Sequence, residues 1–210
     1  MKTKLTIRAI VYLAMLASAS AEYQGWQHSG SLHILTTKEG ANMPANTTEA
    51  NFPLLVRLSK DWFDFGQAKP NGDDLRFASA DGTPLAYQID DWDVGTGKAS
   101  VWVRIPLIKG DARQAIKMYW GKTDAAGESK GQAVFNESNG YLSVWHMNDA
   151  VKDEVGTVES KDTGTTASSG IIGKSRHFET GKGISGGETI TAYPTAVSYT
   201  HLTLPTIYSV

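Results

Sequence analysis

Three kinds of side chain in this sequence have the types and spacing to do chemistry: acidic neighbours, histidines beside aromatics, and tryptophans at strand spacing. Hydrolysis of a glycosidic bond needs two carboxylates flanking the bond, roughly 5 to 9.5 Å apart. Asp90 and Asp91 are adjacent, and consecutive strand residues leave opposite faces of a sheet, so this pair does not flank one substrate. Asp93, Glu154 and Glu159 have no partner that spacing nominates, and the expectation for all these acids is a solvated surface. His146 and His177 each stand in a strand-like stretch beside an aromatic residue. A metal site wants three or four ligands, and although Asp149 or Asp153 would join His146, no ligand spacing supports it. Both histidines are therefore read as packed or hydrogen-bonded structural groups. With no cysteine and no serine in a nucleophile elbow, acyl transfer lacks a nucleophile. The sequence thus nominates no catalytic residue, no metal ligand and no cofactor, and is read as non-enzymatic.

Binding falls to the aromatics. Trp62, Trp92, Trp102 and Trp145 are candidates for stacking on sugar rings, since indole presents a flat apolar face with a polar edge. Trp102, Trp92 and Trp145 are taken as the ligand-binding candidates. Trp102 alternates with Val101 and Val103, so it is expected on the face turned away from the core. Tryptophan is also a common core residue, and in a two-layer fold both faces of a strand are often covered.

The elements that must carry these residues are short strands. Apolar Ala99, Val101, Val103 and Ile105 alternate with Ser100, Trp102 and Arg104, the period of two that packs one face. Strands are predicted at residues 31–35, 53–58, 75–78, 85–92, 99–105 and 115–121, with brief helical turns at 60–65 and 133–136. Turn chemistry separates the strands, as at Asn71–Gly72, Asp81–Gly82 and Gly110–Asp111. The fold class is all-β, a sandwich or jelly roll. Residues 142–149 (LSVWHMND) read as the opening strand of a second module, because the polar, Gly-bearing stretch 122–140 precedes them. Residues 149–166 read as a long loop, and 170–178 and 183–190 resume strand character. The domains expected are a β-sandwich over 22–135 and a second module over 141–196. The latter has about 55 residues, near the low end for independent stability, and is read as truncated.

Lys2, Lys4 and Arg8, the apolar run 9–17 and the small residues 19–21 form the tripartite pattern of a signal peptide, residues 1–21. The apolar run is far shorter than the roughly 20 residues a membrane span needs. Removing the leader takes the formal net charge from −2 to −5, which leaves no electrostatic footprint for nucleic acid or anionic lipid. An exported chain without cysteine must be held by core burial, which suits a bacterial envelope protein; the sequons at Asn46 and Asn136 are read as chance matches. Residues 197–206 (VSYTHLTLPT) resemble a translated sequencing adapter, residues 197–210 are read as an adapter-derived tail, and the native protein is expected to be longer than this chain.

The motifs NFPLLVRL (51–58), DDLRF (73–77), DGTPLAYQIDDW (81–92), SVWVRIP (100–106) and MYWG (118–121) resemble an exported bacterial β-domain of unknown function, over roughly residues 23–135. That domain is commonly followed by a laminin-G-like, concanavalin-type jelly roll, and residues 142–147 and 171–178 resemble the start of one. Some long relatives of this arrangement end in a MotA/TolQ/ExbB-type proton channel. The resemblance thus implies a membrane channel domain in residues this chain lacks, while the mature segment itself makes no membrane contact. The functional expectation is a periplasmic or envelope recognition module for a glycan or envelope polymer. The alternatives are the sensor or lid of an ExbB-like channel and, last, a jelly-roll envelope hydrolase.

Overall fold

The computed structural model describes residues 23–186. The signal-peptide reading, the adapter reading and the end of the 183–190 strand lie outside them. The architecture is an all-β sandwich of antiparallel sheets. One sheet has the order β1–β7–β3–β4, from His28–Leu35, Arg113–Trp120, Arg76–Ser79 and Pro84–Leu85. The facing sheet has the order β2–β6–β5, from Thr48–Ser59, Lys98–Lys109 and Tyr87–Asp93.

The period of two in β6 has the predicted consequence: Ala99, Val101, Val103 and Ile105 are buried between the sheets. They meet Ile116 and Met118 of β7, Phe77 of β3 and Leu58 of β2 in one core. Each fully buried aliphatic side chain there contributes about 1.5–3 kcal/mol. Phe63, Phe65, Trp92 and Trp120 close one end of this core in edge-on and tilted contacts.

The predicted strand 85–92 is two strands. β4 pairs with β3 and β5 pairs with β6, so the chain changes sheet at Ala86, whose carbonyl accepts from the Arg104 amide. Leu85 and Tyr87 on either side of this corner are both buried. The chain passes from β6 to β7 of the facing sheet through a turn at Gly110, where an added Cβ would lie 1.9 Å from the Pro44 carbonyl oxygen. The loop 36–47 crosses there, and the Gly110 and Asp111 amides donate to the carbonyls of Thr47 and Met43.

Residues 122–140 are strapped onto the sandwich. Buried Arg76 donates to the Ala126 carbonyl and pairs with Glu128, and the Lys130 amide donates to the Tyr87 carbonyl. A short helix, α1 (Gly131–Val134), and a 3-10 turn (Glu137–Asn139) follow, close to the predicted helical turn. Beyond them residues 142–149 form no strand, which corrects the expectation of an opening β-strand. The reason is that they lie across the outer face of β5 and β6 through side-chain contacts, leaving their backbone no ladder. The predicted loop 149–166 contains a strand. Residues 161–185 make two ribbons, β8 (Lys161–Thr163) with β11 (Gly183–Ser185), and β9 (Thr166–Ser169) with β10 (Lys174–His177).

Candidate functional site

Position 90 is where the strand rule fails. The β5–β6 ladder runs Tyr87–Val103, Gln88–Trp102 and Ile89–Val101, then shifts to Asp91–Ser100. The extra residue of this bulge is Asp90. Ile89 stays against the core while Asp90 turns outward to Trp102, and Asp91 pairs with Ser100, on the same face as Trp102. The expectation that Asp90 and Asp91 leave opposite faces is thus overturned, because a bulge inserts one residue without reversing the strand. The solvated-surface expectation also fails for Asp90, whose side chain is 3% exposed.

A polar cluster is built around that carboxylate. Trp102 Nε1 donates to one Asp90 oxygen at 3.1 Å, and Asn148 Nδ2 donates to the other. His146 Nδ1 lies 3.6 Å from the Asp90 oxygen that Trp102 holds, and its Nε2 is 3.0 Å from Gln88 Oε1. The imidazole stacks on Trp102 with an interplanar angle of 17° and meets Phe135 edge-on. The reading of His146 as a hydrogen-bonded structural residue describes this arrangement. Phe135, Val134 and Val155 form a second small core against Trp102, Tyr141 and Val144. Trp102 is therefore on the predicted face, but that face is roofed.

Next to the cluster, Gly173 (φ 60°) lets the ribbon approach, since a Cβ there would stand 3.1 Å from Asn148 Oδ1 and 3.2 Å from Asp91 Cβ. Burial, then the charges of Asp90 and Asp93, push the Asp91 carboxyl up, with Lys174 opposing. Among the described residues no group of acids and histidines is arranged to hold a metal ion, and no helix is long and apolar enough to cross a membrane.

The remaining candidates are dispersed. Trp92 packs against Phe63 and Phe65 at the end of the main core. Trp145 is half-buried and donates to Ser160 Oγ. His177 is on β10, 3.9 Å from Glu179 and exposed. The structure brings Trp102 and His146 together and leaves Trp92 and Trp145 apart from them.

The most exposed of the four stacking candidates is Trp62, at 53%. It follows Asp61 in the turn after β2, where the Trp62 and Phe63 amides both donate to the Ser59 carbonyl, and it is Phe63 that points into the core. Trp62 stands at a cleft of about 540 Å³ between the edge strands β1 and β2. Leu32 and Ile34 of β1 and Leu54 and Val56 of β2 line it, Phe52 (41% exposed) is a second aromatic, and His33, Glu49 and Arg57 give it polar groups. Lining residues run along β2 from Glu49 to Arg57, about 26 Å at strand rise. The signal in the sequence was the helical turn itself, which places one of two adjacent aromatics inside and the other out.

No curated protein and no solved structure matches this chain. Residues 71–153 match the model of a family described as a domain of unknown function, DUF2341. The match covers β3 to β7, α1 and residues 141–149, and so includes Gln88, Asp90, Trp102, His146 and Asn148. Together with the all-β architecture, it agrees with the resemblance to a β-domain of unknown function.

Proposed function

We propose that this chain is a non-enzymatic recognition module of the cell envelope, and that it engages a glycan or other extended envelope polymer in the cleft between β1 and β2. The observation that carries the reading is the shape and lining of that cleft: elongated, apolar along its walls, with exposed Trp62 and Phe52 and a few polar side chains. Binding sites of this volume typically combine an apolar surface with a small number of orienting polar groups. An aromatic face stacks on the C–H face of a sugar while His33, Glu49 and Arg57 meet hydroxyls. The non-enzymatic part rests on Asp90, which is enclosed by Trp102, Asn148 and His146 and has no open approach for a glycosidic bond.

Retention on immobilised envelope polysaccharide, measured with soluble competitor fragments, tests the reading. Trp62→Ala should weaken retention on the order of tenfold, while Trp145→Ala should not. Equal retention of the wild type and Trp62→Ala, or no retention of the wild type on any envelope polymer, would refute it.

A further inference from the structure

We propose that the Asp90–His146 contact is a proton-operated latch: with both ring nitrogens protonated, residues 141–149 are held on the outer face of the β2–β6–β5 sheet more tightly than with one. The Asp90 side chain is 3% exposed and that of His146 11%. A buried carboxylate is offset either by several hydrogen-bond donors, as at Asp153, or by a cation, and the only ion-pair partner of Asp90 among the described residues is His146. Trp102 Nε1 and Asn148 Nδ2 give Asp90 hydrogen bonds without charge.

The ring has the complementary problem. Its Nε2 faces Gln88 Oε1 and its Nδ1 faces Asp90 Oδ2. A neutral imidazole has one N–H. With that proton on Nε2, Nδ1 presents a lone pair to a carboxylate; a second proton gives each nitrogen an acceptor and gives the carboxylate its counter-charge. Stacking on Trp102 and the edge contact with Phe135 hold the ring in place for either state.

The other charges near the ring leave this balance to Asp90. On β5, Asp91 lies on the same face beside Gly173. From the loop that follows residue 149, Glu154 lies by Gln88 and is paired with Lys152 at 3.7 Å. From β10, Lys174 is paired with Asp149. Trp102 of β6 and Phe135 bring no charge.

Hydrogen exchange of the whole chain, expressed as protection factors at pH 7.5 and 5.5, reads the latch across the interval where imidazoles ordinarily take up a proton. Amides of residues 141–149 should be about tenfold more protected at pH 5.5, the scale of a close ion pair screened by the protein surface, and the difference should vanish in His146→Gln and in Asp90→Asn. Equal protection at the two pH values, or an unchanged difference in His146→Gln, overturns the proposal. Should those variants fail to fold, the ring nitrogens of wild-type His146 decide by NMR. Two protonated nitrogens at pH 5.5 support the latch. A single Nδ1–H at both pH values, with the Gln88 amide turned to donate to Nε2, overturns it.

Discussion

Strand β6 buries five apolar side chains, Ala99, Val101, Val103, Ile105 and Ile108, in the core, whereas none of the residues in β8, β9, β10 or β11 is fully buried. Among the described residues beyond 141, those buried are Val155 and Val158, together with the polar Asp153 and Thr165. The two regions are therefore held by different forces. The sandwich depends on apolar area removed from water, which is non-directional and spread over many residues. The later region depends on a few polar hubs. Asp153 accepts from the Val144, Val155, Thr157 and Val158 amides and so shapes the whole 144–158 loop. Arg176 donates to the carbonyls of Asn148, Asp149 and Thr165 and pairs with Asp162. A region built this way is specified by single residues, and removing one leaves its partners buried without bonds.

The largest effect that separates the two should come from Val103→Asp. A carboxylate at a position with no solvent access destabilises by more than about 4 kcal/mol, and cooperative unfolding of the sandwich, followed by circular dichroism, should be lost. Persistence of a two-state transition near the wild-type midpoint would show that the core is not where the stability lies.

Asp153→Ala should cost less, on the order of 3 kcal/mol, and should cost it locally. Amides 144–158 should lose protection while those of β6 and β7 keep theirs. If the sandwich loses protection in step, the two regions are one cooperative unit. Acid should reproduce the effect. Burial pushes the Asp153 carboxyl up, but hydrogen bonds from Val144, Val158, Val155 and Thr157 outweigh it, and the net position is below the ordinary carboxylate value. A carboxyl depressed in the folded state contributes stability that is present above its unfolded value of about 3.9 and is lost as pH falls through the folded one. The 144–158 loop should therefore loosen only below about pH 4.

Trp102→Ala sits between the regions and should cost about 2 kcal/mol, since a half-buried indole loses less than a core one. The loss should show as release of residues 141–149, because Trp102 holds both Asp90 and His146. Unchanged protection there would mean that Phe135 and Val155 suffice to hold the segment.

The contrast also governs what was legible in the sequence. The sandwich strands announce themselves because a core face repeats every second residue, and Val101, Val103 and Ile105 can be assigned to one face by counting. The Asp90 bulge breaks that count by one residue and carries no local signal, so the outward turn of both acids was hidden. The cluster itself joins residues such as Gln88 and His146, 58 positions apart, and neutral amides like Gln88 and Asn148 belong to no motif. In residues 142–149 the strand-favouring Val144 and Trp145 imitate a strand, but what decides the conformation is tertiary, the fit of His146 against Trp102.

The smallest effect concerns two matching turns, one in each region. In the sandwich, Asp81 accepts from Ser79 Oγ and from the Thr83 amide at the β3–β4 corner. In the ribbons, Asp162 accepts from the Thr165 amide and hydroxyl between β8 and β9. The hydrogen bonds from Ser79 and Thr83 hold the Asp81 carboxyl down to about 2; those from Thr165, helped by Arg176, also lower Asp162. Both carboxylates therefore support their turns above the ordinary carboxylate value, and both lose that support as pH falls through their folded values. The consequences should differ, because β3 and β4 are also joined by buried Phe77 opposite Leu85, whereas the residues of β8 and β9 are all exposed. Followed by NMR from pH 5 to pH 2, the Asp162–Thr165 turn should lose its amide protection while the Phe77–Leu85 pairing keeps its cross-strand contacts, and Ser79→Ala should raise the Asp81 midpoint without opening the corner. Simultaneous loss of both turns would mean that apolar burial does not anchor the corner, and the distinction between the two regions would fail at its finest scale.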